Sequence, residues 1–271
     1  MRLTIIVGFP RSGTSLISHI LGDDVFYSGE PDQIRQNPDI APNGLWESDL
    51  IASVNENLFR SFGIDGLEPD GIKKIMAIDW QNKDIRIKVE RYTAQAQLVI
   101  NSLIRQMKEV DGKHHIYWKD PRTSVLLRFW IKAIHDGNRA RLFDENIDDV
   151  NIVWCFRNPE ETSDSMVDID ENNTYERDQY LAAWDLYNSY LANAIADLKL
   201  PFYLVNYGDI LKSPKKILKG LFSFLGEKDE SGRIDKAVSK INPELQQFKS
   251  KKRTLPNLYV RLLDICSKQI A

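Results

Sequence analysis

Gly8-Phe9-Pro10-Arg11-Ser12-Gly13-Thr14-Ser15 is a run of small and turn-forming residues with one guanidinium in its middle. A loop of that kind leading into a helix aims several unpaired backbone N–H groups, and the positive end of the helix dipole, at one point. That is an anion cradle. Arg11 adds a planar fork of donors suited to an oxyanion. Gly8 and Gly13 have the separation found in the phosphate loop of nucleotide triphosphatases, but Thr14 stands where that pattern requires Lys. A kinase or nucleotide hydrolase without that Lys loses its contact to the β- and γ-phosphates. Taken alone, the loop also reads as an ordinary strand-turn-helix with a surface Arg.

Arg11 is one of several polar residues that fall just past a strand-like run. Leu3-Thr4-Ile5-Ile6-Val7 reads as a fully buried strand; Leu16, Ile17, Ile20 and Leu21 follow at helical spacing, with Gly22 as the expected C′ stop. Val25 to Ser28 predicts a strand delivering Glu30, and His114 to Trp118 one delivering Lys119. Asn151 to Phe156 delivers Arg157, and Phe202 to Asn206 delivers Tyr207. Strands alternating with helices predict a three-layer α/β fold with a central, mostly parallel sheet. Ligands of such sheets sit outside the carboxyl ends of the strands, so Arg11, Glu30, Lys119, Arg157 and Tyr207 are expected at one edge. Each alone is an exposed loop residue; the coincidence is the signal.

Pro31, Pro38, Pro42 and the pair Asn43-Gly44 mark residues 31 to 47 as a loop, long enough to suggest a wall of a ligand site. Ser48 is the expected N-cap of an amphipathic helix through Leu50, Ile51, Val54, Leu58 and Phe62. Residues 64 to 82 show no clear pattern, whereas 83 to 110 carry a long helical stripe. Further helices are expected over Val125 to Gly137, over 175 to 198, from a Ser213 cap with Pro214 to Gly226, and from Asn257. No linker-like stretch divides residues 1–271, which are expected to form one domain.

The chain of 271 residues, 42% apolar and 28% charged, has the make-up of an ordinary globule able to bury a large core. A formal net charge of −3 argues against nucleic acid or an anionic membrane as the main partner. An anionic ligand must therefore be drawn by local basic residues. Cys155 and Cys266 are too few for a disulfide framework and are expected as reduced core residues. No signal-like stretch precedes the first strand and no apolar run approaches a membrane span, so a cytoplasmic chain is expected. His114 and His115 would point to opposite faces of a strand, so no metal site is expected.

Arg157-Asn158-Pro159 is followed by Ser165 eight positions after the Arg, and Tyr207-Gly208-Asp209-Ile210-Leu211 by Pro214. With the Gly8–Ser15 loop, in this order, they resemble the landmarks of sulfotransferases that use 3′-phosphoadenosine 5′-phosphosulfate (PAPS). Gly208 stands where that family usually has Glu. Asn43-Gly44-Leu45-Trp46-Glu47 resembles a further signature of its bacterial members.

The resemblance implies that Arg11 and the N–H groups of Ser12, Gly13, Thr14 and Ser15 hold the 5′-phosphate and bridging oxygen. It implies that Arg157 and Ser165 read the 3′-phosphate and that Tyr207 contacts the adenine side. Lys119 resembles a lysine that touches the sulfuryl group. The small-molecule branch has a His base two residues after that lysine; Pro121 stands there instead, as in carbohydrate-modifying relatives, whose base is a glutamate after the second strand. That comparison favours Glu30 as the base, ahead of Glu47. Asp120 and Arg122 could orient Lys119 or the acceptor. The cluster Lys249, Lys251, Lys252 and Arg253 reads as a solvated charge run, or as a clamp on the 3′-phosphate. The implied reaction is sulfuryl transfer to a hydroxyl, in second place an amine, with no metal required. A P-loop kinase or hydrolase and a non-catalytic nucleotide-binding module are the alternatives. Phe26, Tyr27, Trp46 and Trp118 suit a sugar, a phenol or a lipid-like acceptor equally, and the sequence is silent on oligomeric state.

Overall fold

Strand β1 (Arg2–Val7) is apolar on both sides because both sides are covered. Leu3, Ile5 and Val7 enter one core cluster, and Ile6 enters another on the opposite face. In the computed structural model, which describes residues 1–22, 25–35, 44–80, 82–170, 172, 174–229, 232–242 and 255–270, β1 is the centre of a five-stranded sheet. The order is β2-β5-β1-β6-β7, with β2 Phe26–Tyr27, β5 His115–Lys119, β6 Asp149–Phe156 and β7 Phe202–Asn206, and every pairing is parallel. Two short strands, β3 (Ile34–Arg35) and β4 (Glu47–Ser48), form a separate antiparallel ribbon.

Helices fill both outer layers. The larger cluster packs α2 (Asp49–Ser61), α4 (Lys83–Lys108), α6 (Leu127–Arg139), α8 (Arg177–Leu198) and α12 (Asn257–Ile270) against one face, through side chains such as Val54, Leu103, Trp130, Trp184 and Leu262. The other face carries α1 (Thr14–Gly22), α10 (Pro214–Phe224) and α11 (Arg233–Ser239), through Ile17, Leu221 and Ile234. The remaining helices are α3 (Pro69–Met76), α5 (Pro121–Val125), α7 (Pro159–Ile169) and α9 (Tyr207–Lys212).

The strand register aligns the functional edge. Ile6 pairs with Lys119 and Val7 with Trp154, so Lys119 and the loop after β1 end at one level. Phe156 pairs with Asn206, which sets Arg157 beside Tyr207. Strand order reverses around β1, and the crevice at such a point is where open α/β sheets take ligands.

Several local readings needed correction. Gly22 is the last residue of α1 rather than a stop beyond it; a Cβ there would lie 2.7 Å from the Tyr117 hydroxyl, so close packing selects the glycine. Ser48 and Ser213 occupy N-cap positions but make no side-chain cap bond. The patternless stretch 64–82 contains α3, and α7, α9 and α11 stand where no helix is expected. The first two of these begin with Pro at the first helical position, a usable signal. The helix expected over Val125–Gly137 is α6, and α5, which ends at Val125, precedes it across Leu126. The basic cluster Lys249–Arg253, and Pro38, Pro42 and Asn43, lie outside the described residues.

Candidate active site

The loop between β1 and α1 is held from below. Gly8 donates its N–H to Ser124 Oγ at 3.0 Å, and the buried Tyr187 hydroxyl, with one proton to share, lies 2.8 and 2.5 Å from the Gly8 and Pro121 carbonyl oxygens. A Cβ on Gly8 would fall 2.3 Å from the Cys155 carbonyl oxygen, and one on Gly13 2.6 Å from the Tyr207 ring. Both glycines have positive φ, as does Arg11 at 65°. From that left-handed turn the Arg11 side chain reaches Ser165 of α7. Ser12, 1% exposed, has a hydroxyl with no hydrogen-bond partner among the described residues.

A cavity of about 270 Å3 opens on this loop. Arg11, Gly13, Thr14 and Ser15 line one side, and Lys119, Arg157, Tyr207 and Glu47 converge from the other strand ends. Arg157 lies over the Tyr207 ring, 4.8 Å from its centroid, and donates to Glu161 at 3.0 Å. Arg11 donates its Nε–H to Ser165 Oγ at 2.9 Å. Burial, and then the charge of Arg157, hold the Arg11 pKa below its ordinary value, while Tyr207 and Asp168 pull the other way. Two guanidinium groups thus face one space and repel, which is the electrostatic condition an anion relieves.

Lys119 and Glu47 form a buried ion pair, Nζ to Oε1 2.6 Å, with Lys119 also donating to the Leu45 carbonyl at 3.2 Å. Glu47 reaches the cavity because the chain turns left-handed at Trp46, φ 56°. Helix α1 fixes that turn: Ser18 Oγ donates to the Trp46 carbonyl at 2.8 Å, and the His19 and Trp46 rings stack at 4.5 Å. Burial pushes the Glu47 carboxyl up from its ordinary range, against the opposing pull of Lys119. Behind it, Arg122 grips Asp120 through Nε and Nη2 at 2.8–3.1 Å and meets Glu56 at 2.7 Å, and Arg35 bonds Glu56 and Asp49. Glu56, held by Arg35 first, is depressed to about 2.

The sequence profile of the sulfotransferase family matches residues 4–231. The chain belongs to the sulfotransferase family. It is a PAPS-dependent sulfotransferase, and the elements that align with the family run from β1 to the segment before α11. No curated protein matches the chain. Among solved structures, the sulfotransferase STF9 from Mycobacterium avium is 14% identical, with a TM-score of 0.48 covering 99% of this chain and 74% of that one. The sulfotransferase domain from the curacin biosynthetic pathway is 14% identical, TM-score 0.46, over 98% and 97%. A sulfotransferase from Alicyclobacillus acidocaldarius is 13% identical, TM-score 0.42, over 99% and 92%.

The sulfotransferase's cavity suits PAPS on its own evidence. The orphaned Ser12 hydroxyl, the two converging arginines and the free N-terminal turn of α1, which carries no acidic residue, all match an anionic ligand. Four of the five residues expected at the strand ends line this cavity: Arg11, Lys119, Arg157 and Tyr207. Glu30 does not. It caps the turn at Pro31–Gln33 and accepts a hydrogen bond from Tyr27 at 2.7 Å, while Glu47 occupies the place beside Lys119. Ser12 and Ser165 lie beneath the surface, and Ser165 touches Arg11 rather than Arg157. The aromatic residues expected to meet an acceptor are elsewhere. Phe26 and Trp118 are fully buried, Tyr27 is 5% exposed, and Trp46 packs on His19. The cavity instead shows Leu16, Leu45, Ile169, Leu211 and Asn242, none of which the sequence marked as an acceptor contact. Among the described residues no helix is long and apolar enough to cross a membrane.

Proposed function

We propose that this enzyme sulfates a hydroxyl of a small-molecule acceptor, of carbohydrate or lipid-like class, with Glu47 as the base. The observation that carries the reading is the buried Glu47–Lys119 pair opening onto the same cavity as Arg11 and Arg157. Bound PAPS supplies the sulfuryl group. Glu47, its proton affinity raised by burial, takes the acceptor's proton as the acceptor oxygen bonds to sulfur and the bond to the departing phosphate breaks. Lys119 offsets charge on the sulfuryl oxygens. Arg11 and the N–H groups of Ser12, Gly13, Thr14 and Ser15 hold the 5′-phosphate side, so that positioning and electrostatics supply most of the rate. Arg157 reads the 3′-phosphate, with Ser165 holding Arg11 in register beside it, and Tyr207 flanks the adenine.

The residues 1–271 act as one domain in this reading, supported by a cavity whose walls run from Pro10 to Asn242. The buried, unbridged Cys155 and Cys266 support a reducing, cytoplasmic setting. Thermal unfolding tests the donor assignment: the desulfated product PAP at about a hundred times its Kd should add about 2.7 kcal/mol of stability, and ATP much less. Equal stabilisation by the two would favour nucleotide hydrolase chemistry and overturn the assignment.

A further inference from the structure

A second cavity, of about 300 Å3, lies between α4, the start of α6 and α8. Its apolar wall combines the aromatic Trp80, Phe129 and Tyr190 with the aliphatic Val89, Val125 and Leu126. Helix α5 separates it from the catalytic cavity, for Pro121 at one end of that helix lines the first and Val125 at the other end lines the second. It is therefore a different space, and it contains none of the groups assigned to the donor.

Its charge is one-sided. Arg86, Arg128 and Lys132 line it against a single carboxylate, Glu90. Arg128 pairs with the exposed Asp197 at 2.6 Å and Lys132 with Asp136, both outside the cavity wall. The Arg86 guanidinium has no ion-pair partner among the described residues. Tyr190, half-buried, stands beside Arg128 and Trp80 in the wall, and burial raises its pKa, so its hydroxyl stays neutral and the cavity keeps its positive balance. Aromatic and aliphatic side chains in one wall suit a planar apolar body, and the cations around them suit a single negative group at its end.

We propose that this cavity is a second ligand site, taking an amphipathic monoanion: a flat apolar body bearing one sulfate, sulfonate or carboxylate. It stands independently of the sulfuryl-transfer reading.

Calorimetric titration of 2-naphthyl sulfate into the full chain, with PAP saturating the catalytic cavity, tests it. Binding is expected, with 2-naphthol weaker by roughly tenfold or more for want of the charge. In the double variant Arg86→Ala/Arg128→Ala the sulfate should fall to the affinity of the naphthol, with PAP affinity unchanged; Asp197 is exposed, so no buried charge is stranded. Val89→Trp, which fills the space, should abolish binding of both compounds. No binding by the wild type, equal affinity for the two compounds, or a sulfate affinity indifferent to the double variant would each overturn the proposal. The last would place the compound in the acceptor region instead. Binding that persists in Val89→Trp would do the same. Failure of any of these leaves the response to PAP, and hence the catalytic reading, separately measurable.

Discussion

Arg11 donates its Nε–H to Ser165 Oγ across 2.9 Å, joining the loop after β1 to the middle of α7. Two stretches more than a hundred and fifty positions apart, each resembling half of a nucleotide site, are thus one hydrogen-bonded unit. The contact explains how a guanidinium in a left-handed loop residue is held still while facing another positive charge, that of Arg157. Ser165→Ala should therefore disturb the phosphosulfate side as well as the 3′-phosphate side. Loss of one hydrogen bond to a charged group costs about 1.5–3 kcal/mol, so PAP affinity should fall by roughly 10- to 150-fold. Titration with PAP and with adenosine 5′-phosphosulfate checks it, both ligands weakening together.

Arg157→Ala should behave differently. PAPS and PAP should lose roughly two orders of magnitude in affinity, while adenosine 5′-phosphosulfate, which lacks the 3′-phosphate, should be barely affected. Equal losses would refute the 3′-phosphate role.

Glu47→Gln should lower kcat by roughly 10²–10⁴-fold with PAP affinity little changed, and Glu30→Gln should leave kcat near wild type. The substitution also removes the carboxylate from a buried ammonium, Lys119 being 2% exposed, so a stability loss of about 3–5 kcal/mol is expected alongside. Glu47→Gln/Lys119→Met separates the two effects: stability should partly recover and activity should not. If Glu30→Gln is the variant that loses turnover, Glu47 is not the base.

Gly13→Ala should cost stability and nucleotide affinity together. The new Cβ would stand 2.6 Å from the Tyr207 ring at a φ of +89°, and such backbone strain costs on the order of 1–3 kcal/mol. In a Tyr207→Ala background the steric part disappears, so the penalty measured by chemical denaturation should shrink and only the strain remain.

His115 should set part of the acid limit of stability. It is fully buried, its Nε2 2.8 Å from Thr4 Oγ1, and burial, followed by the Arg2 charge, lowers its pKa to about 3 although Glu227 lies 3.8 Å away. The folded pKa lies below the unfolded one, so the imidazole stays neutral in the fold while the unfolded chain takes up a proton below pH of about 6.5. Stability should then be fully present above that pH and decline by up to about 1.4 kcal/mol per unit as pH falls toward 3. Between pH 7 and 5 the wild type should lose about 2 kcal/mol more than His115→Gln, by urea denaturation at each pH. Parallel losses would show that His115 already titrates in the fold.

Much of the architecture was legible before any coordinates. Apolar side chains on both faces of residues 3–7, 151–156 and 202–206 announce strands covered on two sides, and a Gly/Pro/Arg/Ser turn running into helical spacing announces an anion loop. These are local properties of the chain. Placing Arg11, Lys119, Arg157 and Tyr207 on one edge needed only the rule that parallel strands end together. What the sequence could not decide was which carboxylate meets Lys119. Glu30 follows its strand directly, whereas Glu47 arrives through a left-handed turn at Trp46 that α1 holds by a hydrogen bond and a ring stack. Likewise Ser165, expected with Arg157 at the 3′-phosphate, accepts a hydrogen bond from Arg11 that the sequence did not announce. Spacing along the chain measures neighbours in sequence; these pairings are made by side chains from separate elements, and only packing in three dimensions selects among them.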